Sequence, residues 1–348
     1  MAKRIQKKKR PSRLRRAGRT LYRTAVFFSA LIVTGFVAWK LLVTPPAQSA
    51  EPPTMATTPV TQTGEEAGND QSGGVTQPGG QLPERRAYTY TFLLAASDQS
   101  SGNADTIMVV TYDVPNGTVG VVSIPRDTLV KRKMPKINAA YVGKDGATTL
   151  RDVVSDLVGF PIDYYITVDI KAFKALVNEV DGVDFYIPCD MDYDDPTQDL
   201  YIHYKEGMQH LDGAQALEIV RFRHNNDGSG YTDVGRSQTQ QKMLVAIAKK
   251  VLSFSSIPKF NSFVDIFTQY VKTDLSASDI AYFASNALTV DLSTSLSTGT
   301  LPGDGTAKYK GVSWCYRLYP EECLDMLNQT VNPYTTGLSS DMVNFFQG

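Results

Sequence analysis

Between about residues 87 and 331 the chain interleaves two hydrophobic periods, and this constrains its fold more than any other feature. Tyr88–Ala96, Thr106–Val114, Thr118–Ile124, Asp163–Val168 and Val183–Ile187 are short runs of β-branched, aromatic and aliphatic residues, the composition of strands. Thr148–Val158, Ile170–Val180, Asp212–Val220, Gly235–Leu252, Ala277–Thr289 and Pro320–Val331 instead read as helices, with an apolar face repeating every three or four residues. Pro115-Asn116-Gly117 joins the second and third strand runs as a hairpin. Asp181-Gly182 is a helix stop, and Asp212 is placed to cap a helix start. Strands alternating with helices bury a sheet under helices. The expected fold is α/β: an α/β/α layered single domain with a central mixed sheet, behind an N-terminal transmembrane helix.

The N-terminal end carries that helix. Met1–Arg23 hold 11 Lys and Arg and no Asp or Glu. The formal net charge of −1 over 348 residues therefore hides a remainder with 24 basic and 36 acidic residues, −12 in sum. Residues 24–43 follow, with Lys40 as their one charge. At ~1.5 Å rise per residue they span ~30 Å, the thickness of a bilayer core. Lys40, beside Trp39, can reach the far interface. The expectation is an uncleaved anchor. A signal peptide cut near Ala47-Gln48-Ser49-Ala50, or a mitochondrial presequence, is the alternative. The positive-inside rule places residues 1–23 in the cytosol and everything after Val43 outside. Beside a membrane span, such a tail argues against a nucleic-acid partner.

Residues 44–86, rich in Pro, Thr, Gly, Gln and Ser, read as a disordered extracellular linker. Residues 87–332 read as the folded domain and 333–348 as a polar tail. Cys189, Cys315 and Cys323 make no disulfide framework, and a Cys315–Cys323 pair stays open.

Four arginines point to an anionic ligand. Arg126 closes Val122-Ser123-Ile124-Pro125-Arg126, where a strand ends, so its side chain is expected to emerge at a sheet edge. A surface pair with Asp127 is the bland alternative. In Arg221-Phe222-Arg223 an extended backbone would put both guanidinia on one face and Phe222 on the other. Arg236 and Gln240 are four apart on one helix face, in the first turns, where free N–H groups and the dipole favour anions. Lys136 adds a cation. Guanidinium is a permanent charge with a planar fork that meets phosphate oxygens two at a time, so four together would hold a diphosphate.

Asp98 ends the first strand run and Asp105 begins the second. Two carboxylates at neighbouring strand ends can share a hard cation such as Mg²⁺, or simply cap turns. The chain has no Walker loop, no Gly-x-Ser-x-Gly and no His-Glu-x-x-His. His203, His210 and His224 lack zinc spacing. The acidic run from Asp190 to Asp195 lacks the Gly and Glu of a calcium loop and reads as a solvated hairpin.

Taken in order, several of these stretches resemble the LytR-CpsA-Psr family of Gram-positive cell-envelope proteins. They are Ser97-Asp98, Asp105 to Val109, Val122 to Thr128, Lys136 to Tyr141, Gly207 to Leu217, Arg221 to Arg223, and Asp233 to Arg236 with Gln240-Gln241. The resemblance implies an α/β/α fold with a groove for a polyprenyl chain. It also implies transfer of a glycopolymer, such as teichoic acid or capsular polysaccharide, from an undecaprenyl-diphosphate carrier to a muramic acid hydroxyl of peptidoglycan. By position, Asp98 and Asp105 would hold Mg²⁺. Arg126, Arg221, Arg223, Arg236 and Gln240 would hold the diphosphate, with Lys136 nearby. Asp98 or Asp127 could deprotonate the acceptor. Gln99 and Asn103 stand where the family usually has arginines, so the rim is less basic. Apolar residues of Val153–Phe160 and Met243–Val251 could line the groove or pack in the core. The rival readings are a polyprenyl-diphosphate pyrophosphatase, a non-catalytic binder of lipid-linked polymer, and a transcription regulator using the basic tail. An extracellular main domain argues against the last.

Overall fold

The computed structural model describes residues 43–49, 83–97, 102–231, 233–251 and 269–348. Almost all of the expected transmembrane segment lies outside these residues, as does most of the linker. Among the described residues no helix is long and apolar enough to cross a membrane. The chain divides into a main unit, Ala47–Leu275 with Ala284–Gly348, and a smaller one that groups the chain up to Pro46 with Ser276–Phe283. In the smaller unit, Ser276 and Asp279 cap each other: the Ser276 N–H donates to Asp279 at 2.8 Å and the Asp279 N–H to Ser276 Oγ at 3.2 Å.

The main unit is built on β1 (Thr89–Ser97), β2 (Ala104–Asp113), β3 (Thr118–Ser123), β4 (Tyr164–Asp169), β5 (Val183–Ile187), β6 (Met191–Asp195), β7 (Leu200–Tyr204), β8 (Gly207–Leu211), β9 (Val271–Thr273), β10 (Leu296–Thr300), β11 (Gly303–Tyr309) and β12 (Val312–Leu318). The helices are α1 (Gly146–Val158), α2 (Ile170–Glu179), α3 (Gly213–Arg221), α4 (Asp233–Val251), α5 (Ala277–Ala287), which begins in the smaller unit, and α6 (Pro320–Thr330). A short 3-10 helix covers Ile137–Tyr141.

The central sheet is mixed, in the order β10-β3-β2-β1-β4-β9. β1 runs parallel to β4, and β10 parallel to β3; the other pairings are antiparallel. Register sorts the side chains. Leu93 faces Val109, which faces Val122, and all three are buried in one core with Leu150, Val154 and Leu157 of α1 and Leu327 of α6. Side chains alternate along a strand, so Ser123 points to the opposite face. There its hydroxyl accepts from Gln241 Nε2 of α4 at 2.8 Å. Helices therefore lie on both faces of the sheet, an α/β/α arrangement. Gly120 shares the α6 face. A β-carbon there would overlap the Thr330 carbonyl, so only glycine lets the end of α6 approach β3 so closely.

A second core joins α2, α3 and α4 to the β5–β8 pair and to the β6–β7 hairpin. Val177, Phe185, Ile202, Ile219, Phe222 and Met243 are buried in it. The acidic Asp190–Asp195 stretch is indeed one strand of a hairpin. Asp212 caps α3 as expected. Its carboxylate accepts the Ala214 and Gln215 N–H groups at 2.8 and 2.9 Å, and Gln215 Oε1 accepts the Asp212 N–H at 3.0 Å. The groove candidates Val154, Leu157, Val158, Phe160, Met243 and Ile247 all sit in the two cores.

Two expectations at the margins are corrected, and one open point is answered. First, the linker is not free throughout. Arg85 forms an ion pair with buried Asp163, which also accepts the Ser49 N–H at 2.7 Å and the Thr91 N–H at 2.8 Å. Gln48 Nε2 donates to the Thr89 carbonyl at 2.7 Å, and Tyr164 Oη to that of Ala47 at 2.7 Å. Second, the polar tail folds back: Tyr334 and Leu338 are buried in the first core, and Met342, Val343 and Phe345 pack on it. The Cys315–Cys323 pair left open above does not form: both are free thiols, donating to the carbonyls of Val312 and Pro302 at 3.5 and 3.2 Å.

Candidate active site

β3 ends at Ser123, and Ile124-Pro125 carries the chain into a tight turn. There the Thr128 N–H and hydroxyl both donate to the Pro125 carbonyl, at 3.0 and 2.7 Å. β3 lies between β2 and β10, so Arg126 emerges at the C-terminal end of an interior strand and not at a sheet edge. Its carbonyl accepts the Asn138 N–H at 3.1 Å, and the Asp127 carbonyl accepts the Tyr316 N–H at 2.8 Å. The turn is thereby stitched to the 3-10 helix on one side and to β12 on the other.

Carboxylates hold the Arg126 guanidinium from two sides. Its Nη1 pairs with Asp105 at the start of β2, and its Nε lies 3.9 Å from Asp127 Oδ2. Lys136 Nζ approaches the other Asp127 oxygen at 3.0 Å. These groups are about a quarter to a third exposed, so the pairs fix orientation more than they stabilise the fold.

Arg126, Asp127, Arg223 and Arg236 line one cavity of about 240 Å³, together with Gly305, Trp314 and Tyr316. Arg236 is buried in α4, and Arg223 is exposed. The extended reading of Arg221-Phe222-Arg223 does not hold: α3 runs through Arg221, and Phe222 is its C-cap. Phe222 is nevertheless fully buried, as expected, with Tyr231 edge-on at 5.2 Å. Burial pushes the Tyr231 phenol up to about 12. The helical turn rotates Arg221 away from Arg223. Arg221 Nη2 instead donates to Gln198 Oε1 in the β6–β7 turn at 2.8 Å.

Gln240 does not line the cavity either. Its Nε2 donates to the Val220 carbonyl at 3.2 Å, tying α4 to the end of α3. Its neighbour Gln241 is buried, bonded to Ser123 and to the Gly299 carbonyl. Asp98 lies outside the described residues. Among those described, no group of three or more His, Cys, Asp or Glu could hold a metal. Sequence reasoning missed Gly305, Trp314 and Tyr316. The available signal was Trp314, since the chain's other tryptophan, Trp39, falls in the apolar N-terminal run.

An α/β domain that brings three arginines, from the turn after β3, the segment after α3 and the start of α4, to one cavity is suited to phosphorylated ligands. The chain belongs to the LytR_cpsA_psr family, matching it over residues 57–332. It is 32% identical over 248 residues to a polyisoprenyl-teichoic acid–peptidoglycan teichoic acid transferase, TagU, of Bacillus anthracis, covering 69% of this chain and 77% of that one. It is 36% identical over 187 residues to the corresponding TagV of Bacillus subtilis; that match covers 52% of this chain but only 47% of TagV. The crystal structure of B. subtilis TagV superposes with a TM-score of 0.58 at 27% identity, over 68% of this chain and 94% of that one. TagT bound to LI-WTA shares the fold, with a TM-score of 0.54 at 22% identity, over 70% of this chain and 91% of that one.

Proposed function

We propose that this chain is a phosphotransferase that moves a glycopolymer from an undecaprenyl-diphosphate carrier to peptidoglycan. The cavity lined by Arg126, Arg223 and Arg236 carries the reading, and the teichoic acid transferases among its relatives support it. In the reaction an acceptor hydroxyl oxygen bonds to the phosphorus that bears the polymer. The bridging P–O bond breaks, undecaprenyl phosphate leaves, and the hydroxyl proton passes to a base, with Asp98 and Asp127 as the candidates. Charge builds on the equatorial and bridging oxygens, and three guanidinia lining one cavity are suited to stabilise it. Asp105 and Asp127 keep Arg126 aimed while the cavity is empty of substrate, and Lys136 does the same for Asp127.

Mg²⁺ would neutralise phosphate oxygens when bound. Asp105 supplies the oxygen donor such an ion needs, and the Ser97–Ala104 pairing sets the ends of β1 and β2 side by side. Asp98 would complete the pair. Residues 24–43 would anchor the protein, with residues 1–23 cytosolic and the main unit extracellular, close to its lipid-linked donor.

The test is product analysis with the full chain, a polyprenyl-diphosphate-linked glycopolymer and peptidoglycan. The expected product is a phosphodiester-linked conjugate that forms only with peptidoglycan and is lost in excess EDTA. Release of free polymer regardless of acceptor would make the protein a pyrophosphatase. Binding without turnover would make it a carrier protein.

A further inference from the structure

Trp314 stands on the rim of the arginine cavity and is 70% exposed, whereas Tyr316, the cavity's other aromatic residue, is only 5% exposed. Single exposed aromatics are common and need no explanation. The backbone at Trp314 does need one. The β11–β12 hairpin turns through Lys310 and Gly311, both at positive φ, a tight two-residue turn. Cys315 then pairs with Ala307, while Val312 pairs with Tyr309. Three steps on β12 thus oppose two on β11, so Ser313-Trp314 forms a bulge. Trp314 takes a φ of +57°, a region bulky residues rarely occupy. Bulges of this kind re-aim a side chain beside functional sites. Here the bulge aims the largest flat apolar surface among the cavity's residues outward, next to the arginines.

We infer that Trp314 is a stacking platform for a pyranose ring of the glycan whose phosphate occupies the arginine cavity. The inference rests on the diphosphate reading above. A pyranose has one face made mainly of C–H groups, and the electron-rich face of an indole attracts such edges while excluding water. A sugar joined to a phosphate in the cavity lies within a few bonds of the rim. The ring could belong to the donor polymer or to the acceptor strand.

The full chain in detergent micelles, with Trp39→Phe so that Trp314 is the remaining tryptophan, decides the matter by fluorescence. It is titrated with a short-chain polyprenyl diphosphate, with the same diphosphate carrying one N-acetylhexosamine, and with a soluble peptidoglycan disaccharide. Emission should shift with a sugar-bearing probe and not with the bare diphosphate. A shift with the hexosamine diphosphate assigns the ring to the donor, and one with the disaccharide assigns it to the acceptor. By calorimetry, Trp314→Ala should weaken that probe at least ~10-fold while leaving the bare diphosphate within ~2-fold, and Trp314→Phe should restore most of the loss. Emission indifferent to both sugar probes overturns the platform, as does an equal loss for all three ligands in Trp314→Ala. If the bare diphosphate still binds and Arg126→Ala abolishes that binding, the diphosphate reading survives the platform's failure. If it does not bind at all, both fall.

Discussion

Arg126 and Arg221 show how differently two arginines of one family pattern can be placed. Arg126 reaches the cavity from a turn fixed on both sides, while Arg221 spends its guanidinium on Gln198 at the hairpin tip. Arg126→Ala and Arg223→Ala should each cut polymer transfer by ~10² or more with the denaturation midpoint unchanged, the usual cost of losing a donor to transition-state charge. Arg221→Ala should cost under ~10-fold, and transfer assays on the three purified variants separate the cases. The residue types were legible in the sequence because few side chains suit a diphosphate. Their directions were not. Whether Arg221 and Arg223 share a face depends on where α3 stops, and helix ends are the least legible feature of a chain. Trp314 stood out as a residue type, but its aim was not legible for a similar reason, since that depends on a bulge.

Among the described elements, β1 to β5 and the six helices given above fall within about two residues of their expected bounds, because apolar runs of clear period mark them. β9 to β12 did not announce themselves. Segments such as Leu296–Thr300 are short and weakly apolar, and they become strands only by pairing along an existing edge or with each other. One tight contact between elements is the approach of α6 to β3 at Gly120. Gly120→Ala should lower the unfolding free energy by about 1–3 kcal/mol, the range for overpacking a tight contact, as read from urea midpoints. β12 and α6 also hold the two buried cysteines. Burial pushes the Cys323 thiol up to about 12. A raised pKa keeps the group neutral below that value, so at pH 8 it stays a thiol. Iodoacetamide should label Cys323 only after denaturation, and non-reducing peptide maps should contain no Cys315–Cys323 link.

At the scale of the whole molecule, alternation of strand and helix announced the α/β class, but strand order did not follow from it. β10 and β9 close the two edges of the sheet from late in the chain, and no local pattern encodes such long-range pairing. The C-terminal segment was misjudged because it is polar on average, although Tyr334 and Leu338 are the residues that matter. Ending the chain at Asn332 should remove about 3–6 kcal/mol from two buried side chains alone. It would also remove the Thr335 N–H bond to the Glu84 carbonyl at 2.9 Å, and the melting temperature of the shortened protein should fall accordingly.

The clamp at Asp163 has a mechanical consequence. Ser49 and Arg85 meet there, and Arg85 Nη1 also donates to the Ser49 carbonyl at 3.2 Å. A pull applied at Ser49 would be borne first by those few hydrogen bonds and would pass through Asp163 to the Thr91 backbone of β1. The carboxylate that orders this margin of the domain is thus also the point through which such a load enters the sheet.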